Sequence, residues 1–147
     1  MAGARLFPTT VDVLTRSLSF AEERHRVIAN NIANSDTPFY KARRAPVAEF
    51  QKALSKAVDR SRRNPAADFE PRSTRHVEFS PSGVRFDAVE AGGGRAGVLR
   101  HDENNVDLER EMHLLAENTL MYRTLTDLLR KQLSMLKAAA AERVQAL

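Results

Sequence analysis

Apolar side chains in the first third of the chain recur at intervals of three and four. Val11, Leu14, Leu18, Ala21, His25, Ile28 and Ile32 fall on one line if the segment is helical. That spacing is a heptad seam, and it predicts a helix from about Thr9 to Asn34. His25 is expected to pack inside this seam. Val13, Phe20 and Val27 form a second stripe at seven-residue intervals on another side. Thr9 and Thr10 offer capping hydroxyls just after Pro8. At the far end Pro38 disfavours helical geometry at Thr37, so the helix should stop at Asn34 or Ser35.

A second and longer pattern begins near Asn104 or Asn105 and runs almost to the C-terminus. Leu108, Met112, Leu115, Thr119, Tyr122, Thr126, Leu129, Leu133, Leu136 and Ala140 repeat at intervals of four and three. Leu114, Met121, Leu125, Leu128, Met135 and Ala139 form a parallel stripe. Asn105 is a suitable cap, and Asp107, Glu109 and Glu111 occupy the first turns, where the helix dipole favours negative charge. No Gly or Pro interrupts the run.

Between these patterns, residues 41–103 hold five of the six glycines and four of the six prolines. Val47, Phe50, Leu54 and Val58 would share one face of a short helix. Arg75 to Phe79 and Val84 to Asp87 alternate as two strands, joined by the turn sequence Ser80-Pro81-Ser82-Gly83. Gly92-Gly93-Gly94 reads as a flexible loop. The chain is therefore expected to be mainly α. Long helices are expected in the N- and C-terminal segments (1–40 and 104–147), and the loop-rich middle (41–103) carries a short helix and a small β-hairpin.

Length sharpens this picture. A compact globule of 147 residues would be roughly 40 Å across, whereas a helix of about 40 residues is about 60 Å long. The first helix cannot cover both stripes of its longer partner, so one face must be buried by something else. Two terminal helices with two-sided seams suggest a subunit built to be surrounded by copies or relatives of itself.

Charge adds one feature. Residues 41–75 contain ten basic and four acidic side chains, and the net charge of the whole chain is +4. Such a surplus suits an acidic protein neighbour, an anionic lipid surface or a nucleic acid. A nucleic-acid-associated coiled coil is the alternative reading, although only Tyr40, Phe50 and Phe69 are interleaved with the cations. The absence of cysteine removes disulfides, thiol catalysis and cysteine-based metal sites. No apolar run is long enough for a transmembrane helix, and no cleavable secretion signal is visible at the start. Candidate chemistry is sparse. His25, His76, His101 and His113 have no partners at metal-ligand spacing, and no His-Glu-x-x-His is present. Asp102-Glu103-Asn104-Asn105 lacks the alternating ligands and central Gly of a calcium loop. Ser80-Pro81-Ser82-Gly83 is no nucleophile elbow, and the glycine run is no phosphate cradle. Neither a catalytic constellation nor a cofactor is expected.

The polar residues that stand out lie at the two helix ends. Asn30, Asn31 and Asn34 close the first helix, followed by Ser35-Asp36-Thr37-Pro38-Phe39-Tyr40. They serve equally well as a helix stop with turn chemistry or as amides tying down a loop that folds back on the helices. Asn104-Asn105-Val106-Asp107 reads first as a cap and second as a recognition element.

Ala29-Asn30-Asn31-Ile32-Ala33-Asn34 with Thr37-Pro38-Phe39-Tyr40-Lys41-Ala42 resembles the N-terminal motif of bacterial flagellar rod and hook proteins. Asp102 to Met112 resembles their C-terminal motif, including Asn105, Val106, Asp107, Glu111 and Met112. The continuation through Asn118 to Tyr122, and the lack of a large insertion, resemble the proximal-rod branch. The resemblance covers roughly residues 10–42 and 99–140. It implies that both motifs serve assembly, and that the terminal helices pair as an antiparallel coiled coil in the wall of a tubular rod. That rod would transmit torque across the periplasm from the inner-membrane ring to the hook. It implies partners of matching kind: copies of the chain, other rod proteins, a rod–ring junction protein, and the inner-membrane ring and export gate, with no small-molecule substrate or nucleic acid. It also implies export through the flagellar type III apparatus, without a cleavable signal. Family members commonly have Gly at the position of Phe39, so Phe39 implies either a different turn or a ring docked into a neighbour.

Overall fold

The computed structural model describes residues 6–64, 69–91 and 103–145. The Gly92-Gly93-Gly94 loop, His101 and Asp102 lie outside the described residues. Three helices and two small antiparallel ladders make up the fold: α1 (Leu6–Ala33), β1 (Arg43–Arg44), α2 (Val47–Arg63), β2 (Val77–Ser80), β3 (Gly83–Phe86), β4 (Val89–Glu90) and α3 (Leu108–Gln145). The N- and C-terminal helices pack against each other. They run antiparallel, because Asn31 near the end of α1 meets Glu111 near the start of α3, while Asn118 reaches back to Ala21. With 38 residues against 28, α3 is about 57 Å long and α1 about 42 Å.

The expected stripe on α1 holds in most places. Leu14, Ala21 and Ile28 are buried and Val11, Leu18 and Ile32 are half-buried. His25 departs from expectation and is exposed. Arg24 takes the neighbouring inward position instead, its side chain 11% exposed and its guanidinium 3.7 Å from Glu117. A long basic side chain can lay its methylenes along the partner helix while its charge reaches the rim, which imidazole is too short to do. The helix also starts before Thr9 and Thr10, so neither is its cap. Pro8 is accepted in the first turn, where a backbone N–H would have no partner within the helix.

The seam on α3 is displaced from both expected stripes. Glu111, Asn118 and Gln132 are its buried positions. With half-buried Leu125 they form one column at seven-residue spacing. Leu115, Leu129 and Leu136, also half-buried, make the second column. The surface facing α1 thus takes one column from the Leu108 stripe and only Leu125 from the other. The columns to either side remain largely outside: Met121, Leu128 and Met135 are 38%, 48% and 45% exposed, and Met112 and Leu133 are 58% and 43%. Thr119 and Thr126 bond back to the carbonyls of Leu115 and Tyr122 at 2.8 Å, which satisfies their hydroxyls within the helix.

The other stripe of α1 supports the middle segment. Phe20 stacks on Phe50 of α2 with ring centroids 4.0 Å apart and 11° between planes, and Phe86 of β3 lies 5.1 Å from Phe20. Val77 and Val84 close this small core. The helix α2 extends five residues past Val58, its Ala53 and Ala57 allowing close approach on the buried side. The hairpin is tighter than the sequence suggests, with Ser80 paired to Gly83 around Pro81 and Ser82. It is docked on α1 through polar bonds: the Ser19 hydroxyl accepts from the Val84 N–H at 2.8 Å, and Arg16 donates to the carbonyls of Ser80 and Gly83. A second clip joins α2 to the approach to β2. Glu49 accepts from the Thr74 hydroxyl at 2.8 Å and lies 2.7 Å from Nδ1 of His76. The His76 ring, followed by the Thr74 hydroxyl, holds the Glu49 carboxyl below its ordinary pKa.

Gly83 is required by this docking. Its φ is +146°, and a Cβ there would lie 2.6 Å from Ser19 Oγ. Gly83→Ala is expected to destabilise the protein by about 1–3 kcal/mol through backbone strain and displacement of the hairpin. Thermal unfolding of the purified variant measures the loss, and Ser19→Ala should relieve only the steric part.

Candidate assembly site

At the end of the bundle where α1 stops and α3 begins, the two asparagine-rich motifs meet. Asn31 is completely buried and uses its whole amide. Its Nδ2 donates to the Arg43 carbonyl at 2.8 Å and to Glu111 Oε2 at 3.1 Å. Its Oδ1 accepts from the Tyr40 hydroxyl at 3.1 Å and from the Arg43 N–H at 3.0 Å. Two donors and two acceptors are the full capacity of the side chain. One residue thereby fixes the loop, the β1 strand and the start of α3.

Glu111 supplies the charge. Its carboxylate is fully buried and accepts from Arg44 as well as from Asn31. The Arg44 side chain is 24% exposed, so the ion pair runs from the interior to the surface. Such a pair has already borne the desolvation of its carboxylate, and removing one partner leaves the other unsatisfied.

Asn104 performs the same task on the other chain segment. Its Nδ2 faces the carbonyls of Asn34, Ser35 and Thr37 at 2.8–3.0 Å, and its Oδ1 accepts from the Val106 N–H at 2.8 Å. Asn105 accepts from the Ala42 N–H through its side chain at 2.6 Å. It is therefore not the cap of α3. Asp107 is, its Oδ1 accepting from the Arg110 N–H at 3.1 Å. The Asn105 side chain is instead engaged by the Ala42 N–H beside the β1–β4 ladder. Val106 is buried below the turn.

Within the expected motif the residues divide. Asn31, Tyr40, Asn105, Val106, Asp107 and Glu111 belong to this junction. Asn34 and Thr37 shape the turn beside it: Asn34 donates to the Asn30 carbonyl at 2.8 Å and accepts from the Thr37 hydroxyl at 3.2 Å. Asn30 and Pro38 are exposed, and Ile32 is half-buried on α1. Asn118 lies further along, donating to the Ala21 carbonyl at 2.9 Å while its buried Oδ1 has no partner among the described residues. Met112 and Tyr122 point outward, 58% and 43% exposed. Arg44 is the contributor the sequence concealed, because it sits inside a basic run that reads as solvated surface.

Phe39 answers the question posed by its identity. The turn keeps a left-handed residue there, at φ +63°, and the ring is 69% exposed. A bulky L-residue in that region is strained by about 1–3 kcal/mol. The turn holds it in place, since Asn104 binds the carbonyls on one side and the Tyr40 carbonyl accepts from the Asn105 N–H on the other.

A family model described as flagella basal body rod protein matches residues 13–41, which carry most of α1 and the first motif. The flagellar basal body rod protein FlgB of Bacillus subtilis (strain 168) is 33% identical over 132 residues, covering 90% of this chain and 93% of that one. The chain belongs to the flagellar basal-body rod protein family. FlgB of Borrelia hermsii is 30% identical over 84% of this chain and 89% of its own length, and FlgB of Aquifex aeolicus is 27% identical over 78% of each. Members of the rod family are structural proteins and not enzymes. The alignment with the Bacillus protein spans nearly the whole chain, so the family relationship includes the basic middle, where the sequence motifs alone show no likeness.

Proposed function

We propose that this rod-family subunit builds the proximal part of the rod as a helical tube, with α1 and α3 forming a coiled coil in its wall. The tube transmits torque across the periplasm, from the inner-membrane ring towards the hook. The observation that carries this reading is the outer surface of α3. Its inward column satisfies Asn31 and Ala21 through polar contacts, while its apolar columns stay uncovered. Apolar columns on both flanks of a helix that already has one partner suit burial against further helices. A contact that does not close on itself generates a tube.

In this reading the junction around Asn31, Asn104 and Glu111 sets the angle between loop and helices, and thereby the shape each subunit offers its neighbours. The three chain segments 1–40, 41–103 and 104–147 would act as wall helix, outer segment and wall helix. Neighbours are copies of the chain, other rod proteins, the rod–ring junction protein and the export gate at the rod base, and the chain reaches them through the flagellar export apparatus. Among the described residues no helix is long and apolar enough to cross a membrane. Basal bodies isolated from the native organism test the proposal. The chain should co-purify with the rod, and a deletion strain should lose motility and regain it from a plasmid copy. Recovery of the chain only outside basal bodies, with motility unaffected by deletion, would overturn it.

A further inference from the structure

We propose that the loop after α1 and the segment before α3 form a strained joint that Asn104 clasps shut, so that this end of the subunit has a closed and an open state. Two residues carry the strain. Among the described residues only Phe39 and Glu103 are non-glycine residues with positive φ, at +63° and +56°. Left-handed geometry crowds the Cβ of an L-residue against its own backbone. Asn and Asp soften that cost by bonding locally, which Phe and Glu do not. The two residues are far apart in sequence, yet they stand on opposite sides of one contact.

That contact is centred on a single amide. Asn104 is 1% exposed, and its Nδ2 lies 2.8–3.0 Å from the carbonyls of Asn34, Ser35 and Thr37. An amide has two hydrogens, so three carbonyls converge on two donors. Around it, Lys41 Nζ donates to the Glu103 carbonyl at 2.7 Å, the Asn105 N–H to the Tyr40 carbonyl at 3.4 Å, and the Ala42 N–H to Asn105 Oδ1 at 2.6 Å. These bonds engage Glu103 itself and the neighbours of both strained residues. Closing the contact therefore sets Phe39 and Glu103 in the left-handed region, and opening it lets each return to the α or β region.

The joint is local. The Asn31–Glu111 network and the Phe20–Phe50 core have bonds and packing of their own. Strain held in a contact lowers the free energy of leaving it, so the joint opens before the rest of the fold. In the rod reading such a joint lets the end of each subunit adjust to the next one. That use rests on the rod reading, whereas the joint itself does not.

Hydrogen exchange of the purified chain tests the joint. The Asn105 and Ala42 amides bond across it, and the Val84 amide, bonded to Ser19 where the hairpin docks, is the reference. Asn104→Ala should speed exchange at the first two at least about tenfold and leave Val84 unchanged. Asn104→Asp keeps the acceptor for the Val106 N–H but, ionised, has no donor, and should do the same. The double variant Phe39→Gly/Glu103→Gly should slow both joint amides about tenfold, because glycine takes the left-handed region without strain. Added to Asn104→Ala, the two glycines should no longer slow exchange, since the open joint has no strain to relieve. Unchanged exchange in both Asn104 variants would overturn the clasp. Glycines that fail to slow exchange in the parent chain, or still slow it beside Asn104→Ala, would overturn the strain. Equal acceleration at Val84, or loss of the fold in both Asn104 variants, would overturn the joint, because Asn104 would then support the whole chain. Each of these failures leaves the rod reading standing, which falls instead if deletion of the chain leaves motility intact.

Discussion

Glu111→Ala is expected to destabilise the isolated chain by about 3–5 kcal/mol, the range for breaking a buried ion pair from one side. Glu111 is completely buried and holds both Arg44 and Asn31. In the variant Asn31 Nδ2 loses one acceptor inside the fold, and Arg44 loses the group that draws it inward. A domain of this size has about 5–15 kcal/mol in total, so roughly a fifth or more of the stability is at stake. Urea unfolding of the purified variant, followed by circular dichroism, measures it. Asn31→Ala should cost less alone, and the double variant should cost clearly less than the two losses added, because both side chains serve one network. Strict additivity would mean that the two residues act separately. A loss below about 1 kcal/mol for Glu111→Ala would mean that the carboxylate is not organising the junction.

The same residue explains why the helices were readable from sequence and their register was not. Periodicity of three and four in apolar residues marks a helix whatever its partner, and α3 has enough such residues to be unmistakable. The face turned to α1 is a different matter. Its central column is Glu111, Asn118, Leu125 and Gln132, three polar residues in four, so counting apolar positions finds the columns beside it. Burial of those polar groups depends on partners distant in sequence, such as Ala21 for Asn118 and Arg44 for Glu111. Nothing local to α3 announces them.

The loop motifs were legible in a similar, partial way. Asparagines at both helix ends signalled either turns or tie-downs, and the structure uses both: Asn34 shapes the turn, while Asn31 and Asn104 tie segments together. Asn105 and Asp107 are equally good caps by residue type. The choice between them follows from the Ala42 N–H, whose position is set by the β1–β4 ladder. Arg43-Arg44 has neither alternation nor length, and its pairing with Val89–Glu90 could not be read from two charged residues. The small core was better marked. Phe20, Phe50, Val77 and Val84 each lay on an apolar face of a recognisable element, and the rings needed only proximity to stack.

Leu128→Asp should abolish swimming while leaving the isolated chain as stable as before, and Leu125→Asp should do the reverse in its first effect. The two leucines are three residues apart on α3, yet they stand on different surfaces. Leu125 is half-buried in the column that faces α1, between Asn118 and Gln132. A carboxylate there would be partly withdrawn from water against α1, and a loss of about 3 kcal/mol is expected. The purified Leu125→Asp protein should therefore melt early and be degraded in cells. Leu128 is 48% exposed in the outer column with Met121 and Met135. A charge at such a position changes the stability of a monomer by no more than about 0.5 kcal/mol. In a helical assembly that column is covered by neighbours, and each subunit would bury an unpaired carboxylate at the contact. The difference between monomer melting and swimming halo separates the two surfaces. If Leu128→Asp swims normally, the outer column of α3 faces solvent in the rod, and the wall of the tube must be built from another face. If it melts as early as Leu125→Asp, the column belongs to the interior of the chain, and the two-sided reading of α3 fails at its root.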